Sequence, residues 1–81
     1  MGIGTRALEA HRARGYRVVG QPDYGQVEQF LAQSAGVAKA DLAKAAGRIA
    51  HAIEYGEHIF GPQVSLPTMA ALADRLEQLS K

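Results

Sequence analysis

Apolar positions along this chain fall into short helical stripes separated by glycine and proline breaks. The longest organised stretch runs from Val27 to Gly47, VEQFLAQSAGVAKADLAKAAG. Val27, Phe30 and Leu31 make one stripe; Leu42, Ala45, Ala46 and Ile49 make a second. Both follow the i, i+3, i+4, i+7 spacing that gathers apolar side chains on one helix face. Gly36-Val37 separates them. Helices joined by so brief a turn must cross steeply, as in a helix-turn-helix. The rest of the chain reads as support for this unit.

Residues 4–14, GTRALEAHRAR, predict a short helix ended by Gly15. Its apolar face, Ala7, Leu8 and His11, is thin, so it reads as an appendage to the core. Tyr16 to Val19 is β-prone but has no second strand to pair with, and reads as a linker. Asp23 is an N-cap with Gln26 three residues on, a capping-box spacing, and the helix it opens runs to about Ala35. Lys39 to about Gly56 is helical, either as one long helix or as two short ones broken near Gly47. Glu57 to Val64 is a loop around Gly61-Pro62, with Ile59 and Phe60 folding back onto the core. Ser65 caps a final helix that accepts Pro67 in its first turn. Met69, Leu72, Leu76 and Leu79 form a two-heptad seam on it, facing the core in preference to a dimer contact.

The expected fold is all-α: a compact bundle of four to five short helices with a helix-turn-helix core. Residues 1–22 are its basic N-terminal helix and linker, and residues 23–81 the helix-turn-helix domain, in a single globular unit. The expected core is Phe30, Leu31, Leu42, Ile49, Ile53, Met69, Leu72 and Leu76.

Composition narrows the function classes. The 81 residues suffice for one domain with a modest core, which dimerisation would reinforce. There is no cysteine, hence no disulfide framework and no cysteine-based zinc site. No apolar run approaches the roughly 18 residues of a membrane span, and the first residues lack a signal-peptide apolar core. A cytoplasmic location is the expectation. Net charge is only +1, but residues 1–48 carry +3 and residues 49–81 carry −2. The basic half is compatible with phosphate contact.

From Asp23 to Leu76 the order of signals resembles the Cro/phage-repressor-type helix-turn-helix family. Phe30-Leu31, Gly36-Val37, Asp41-Leu42-Ala43, Gly47, the segment around Ile53, Pro62 and the closing Ser65-Leu66-Pro67-Thr68-Met69 with Leu72-Ala73 carry the resemblance. In this register Gly47 is the turn, and the recognition helix follows it. A second register takes Ala32 and Gly36 as the diagnostic pair. The recognition helix then starts at Ala38 and presents Lys39, Ala40, Ala43, Lys44 and Gly47. The first register also accounts for the closing helix. The resemblance implies a small prokaryotic, phage or plasmid repressor that binds duplex DNA as a homodimer.

Lys44, Arg48, His51 and Tyr55 recur at spacings of 4, 3 and 4, a basic-polar stripe beside the apolar one. Lys39, Lys44 and Arg48 are the expected phosphate contacts, and His51 and Tyr55 the expected base or backbone contacts. His51, Glu54 and His58 have helical spacing for a metal but lack a further ligand, so no metal or cofactor is expected. No nucleophile-base pair and no phosphate loop is present, so the chain does not read as an enzyme. The alternative reading is a non-catalytic protein-interaction module, an antitoxin-like or phage-encoded helical adaptor with a protein partner in place of DNA.

Overall fold

A computed structural model describes residues 1–81 as four helices and no strand: α1 (Ile3–Ala13), α2 (Tyr24–Gln33), α3 (Lys39–Glu54) and α4 (Leu66–Leu79). α4 is the hub and packs against each of the others. α1 also packs on α3, whereas α2 rests on α4 alone. The all-α expectation is met at the lower helix count. Close packing of α2 on α3, which a helix-turn-helix core calls for, is not part of this arrangement.

The apolar seam of α4 turns inward at Met69, Leu72 and Leu76, while Leu79 at its end stays 46% exposed. Leu42, Ile49 and Ile53 of α3 join them, and Phe30 and Leu31 are half-buried at the edge. Small residues fill the rest: Ala46, Ala50, Ala52, Ala70 and Ala73 are all buried. They let α1, α3 and α4 approach closely, which long side chains would prevent.

Three expectations are corrected. α3 runs without interruption through Gly47, whose backbone is ordinary helix and which has open space where a Cβ would lie. The register that turns at Gly47 therefore loses its turn. The break at Gly36 is present, in the left-handed region at φ +80°. Second, α1 is part of the core: Gly4, Ala7, Leu8 and His11 are buried. Its thin apolar stripe suffices because Gly4 lies against the Ala70 carbonyl, where any side chain would collide. Third, Phe60 folds back to pack on Phe30 at 4.9 Å between ring centroids, but Ile59 remains 46% exposed.

Helix ends are satisfied by tertiary partners as much as by local caps. Asp23 accepts from the Gln26 N–H at 3.1 Å, but the expected box stays open. The Gln26 side chain turns to the Gln63 carbonyl, and the Asp23 N–H donates to Thr68 Oγ1 at 3.0 Å. Ser65 caps α4 as expected, accepting from the Thr68 N–H at 3.2 Å. α1 has Gly2 at its N-cap and no side-chain cap of its own. Asp74 of α4 accepts from the N–H groups of Gly4 (2.7 Å) and Thr5 (3.1 Å) and from the Thr5 hydroxyl, and Glu77 accepts from the Ile3 N–H at 3.0 Å. Carboxylates at a helix N-terminus satisfy orphan donors and meet the positive end of its dipole.

Candidate nucleic-acid interface

α3 is sharply two-sided. Leu42, Ala46, Ile49, Ala50 and Ile53 face the core, whereas Lys39, Lys44, Arg48, His51 and Tyr55 are all exposed. Because the helix is continuous, Lys44, Arg48, His51 and Tyr55 follow one another along a single outer face. Lys39 lies off that stripe, in the first turn, where Ala38 provides no side-chain cap. Asp41 shares this turn, two residues on, without pairing with Lys39.

None of these cations is neutralised by a neighbour. The only ion pair in the molecule joins Arg75 to Glu28 at 3.2 Å, between α4 and α2. The lower end of the stripe is ordered by ring contacts: His51 and Tyr55 lie 4.8 Å apart, and the guanidinium of Arg14, the residue that follows α1, sits 4.5 Å over the Tyr55 ring. Such a cation over a ring face is attracted by the ring quadrupole. Arg6 of α1 lines a shallow groove shared with His51, between α1 and α3. Two arginines of the N-terminal segment thus flank the α3 face. Their place was not legible from the chain, because it follows from how α1 docks.

α1 also closes the C-terminus of α3. His11 Nδ1 donates to the Glu54 carbonyl at 3.1 Å, and Arg14 Nη1 reaches the same oxygen at 3.5 Å. Cationic or N–H donors there meet the negative end of the helix dipole. His58 leaves the helix altogether and donates from Nδ1 to the Val64 carbonyl at 3.3 Å. The helical spacing of His51, Glu54 and His58 is therefore not realised in space, since α3 ends at Glu54. No group of three ligating side chains is arranged to hold a metal ion. No helix is long and apolar enough to cross a membrane.

Between α2 and α3 runs an apolar cleft of about 270 Å³, lined by Phe30, Ala45, Ile49, Phe60, Leu72 and Leu76. Comparison with protein-family models, curated proteins and solved structures returned no match.

Proposed function

We propose that this chain is a small DNA-binding protein that docks the outer face of α3 in the major groove of duplex DNA. The observation that carries the reading is the unneutralised stripe of Lys44, Arg48, His51 and Tyr55 along one exposed, unbroken helix face. A 16-residue helix is about 24 Å long, and the major groove, about 12 Å wide, admits one. Lys39, Lys44 and Arg48 would pair with phosphates and set the register. His51 and Tyr55 would reach base edges or the sugar-phosphate backbone. Arg6 and Arg14 would extend the basic footprint onto the flanking strand. In this reading α3 is the helix presented to the groove, and the protein acts as a homodimeric repressor by occluding its site.

A mobility-shift titration on a randomised duplex pool at two salt concentrations tests it. Binding should weaken steeply with salt. Lys44→Ala/Arg48→Ala should flatten the slope of log K against log salt by about two units, one per phosphate contact. Absence of binding at both salts would overturn the reading.

The second reading, a protein-interaction module, is favoured by one observation. α2 rests on α4 alone and leaves the apolar cleft against α3 open. Under that reading, Phe30→Ala at the cleft would abolish capture of a protein partner, while Lys44→Ala/Arg48→Ala would leave it intact.

A further inference from the structure

The largest cleft, about 430 Å³, opens where the end of α1, the linker, the end of α3 and the start of α4 meet. Its size falls in the range of small-ligand pockets, about 300–1,000 Å³. His11, Tyr16, Arg17, Tyr55 and His58 supply its polar and aromatic lining, and no carboxylate residue lines it. Arg17 has neither an ion pair nor a hydrogen-bond acceptor within the protein.

The two imidazoles are oriented alike. Each Nδ1 meets a backbone carbonyl, Glu54 for His11 at 3.1 Å and Val64 for His58 at 3.3 Å. A carbonyl oxygen only accepts, so each Nδ1 carries the proton and each Nε2 is left for another partner. Tyr16 stacks on His11 with centroids 4.9 Å apart and planes 9° apart. Yet Tyr16 is 60% exposed, so its second face is open. Gly56, at φ +71°, keeps the wall beside His11 clear: a Cβ there would come within 3.0 Å of the imidazole.

We propose that this cleft binds a small ligand joining a planar ring to an anionic group, the chemistry shared by a nucleoside monophosphate and an aromatic carboxylate. The ring stacks on the open face of Tyr16, and the Arg17 fork takes the anion. The free Nε2 of His58 hydrogen-bonds the ring edge, while His11 backs the Tyr16 ring from its other face. The proposal does not rest on DNA binding. Tyr55 belongs to both surfaces and is therefore left unaltered in the test.

The full chain is titrated with adenosine monophosphate, adenosine, benzoate and inorganic phosphate, following backbone amide shifts. Adenosine monophosphate or benzoate should saturate, with shifts concentrated at residues 16–19 and 55–58. Adenosine and inorganic phosphate should bind at least about tenfold more weakly, each having lost one half of the recognition. Arg17→Ala and Tyr16→Ala, both at exposed positions, should each weaken binding about tenfold. Arg12→Ala, exposed on α1 and outside the cleft, should leave it unchanged. Saturation by only one of the two ring-bearing anions identifies the source. The proposal is overturned if neither saturates by about 10 mM. It is equally overturned if phosphate alone binds as tightly as the nucleotide, or if Arg12→Ala weakens binding as much as Arg17→Ala.

Discussion

Single side chains hold this small core in register through polar contacts that bridge helices. Thr68 is almost fully buried and accepts from the Asp23 N–H while exchanging a hydrogen bond with Ser65. Thr68→Val keeps the shape but strands that N–H, and should cost about 1–3 kcal/mol in denaturant unfolding. Asp74 satisfies two backbone donors and a hydroxyl at the start of α1. Asp74→Ala should cost a similar amount, about 1–3 kcal/mol, with early amide exchange confined to the first turn of α1. The local caps, Asp23 and Ser65, were legible because a cap bonds to a residue only three positions away. The Asp74 cap was not, because its partners lie about 70 positions away in sequence.

At the scale of elements, the fate of Gly47 separates the two readings of the central region. Glycine within a helix costs about 0.5–1 kcal/mol relative to alanine. Gly47 has helical backbone and no neighbour where a Cβ would go. Gly47→Ala should therefore stabilise the fold by about 0.5–1 kcal/mol, read as a raised melting midpoint. A turn at Gly47 demanding positive φ would give the opposite sign. Gly4 makes the contrasting case. Gly4→Ala should destabilise by about 1–3 kcal/mol, because the methyl group meets the Ala70 carbonyl. Both residues are glycines flanked by helix-forming sequence, and only the packing of α1 on α4 distinguishes them.

For the whole molecule, the position of α1 matters most. It packs on both α3 and α4, so it is not a detachable arm. Removing residues 1–14 should abolish cooperative thermal unfolding, since Ala50, Ala70 and Ala73 would lose the helix that accompanies them in the core. A truncated chain that still melts cooperatively would restore the view of α1 as an appendage. The α4 seam is largely occupied inside the fold, so the proposed homodimer needs a different surface. Sedimentation at micromolar concentration should return twice the chain mass, and a monomer would weaken the symmetric-operator form of the DNA reading.

Periodicity and punctuation by themselves determined that this chain is all-helical, where α2, α3 and α4 begin, that Gly36 breaks the centre, and that Lys44, Arg48, His51 and Tyr55 share a helix face. Those properties depend on residues within a few turns of one another, and a 3.6-residue repeat carries them. Tertiary structure alone decided that α3 passes through Gly47, that α1 joins the core, and that α2 leans on α4 and not on α3. It also decided that Arg6 and Arg14 flank the basic stripe and that His11, Tyr16, Arg17 and His58 surround one cleft. The free energy behind those outcomes comes from alanine faces and glycine contacts between segments far apart in sequence. Small side chains print almost no amphipathic signal, yet they permit the closest helix approach.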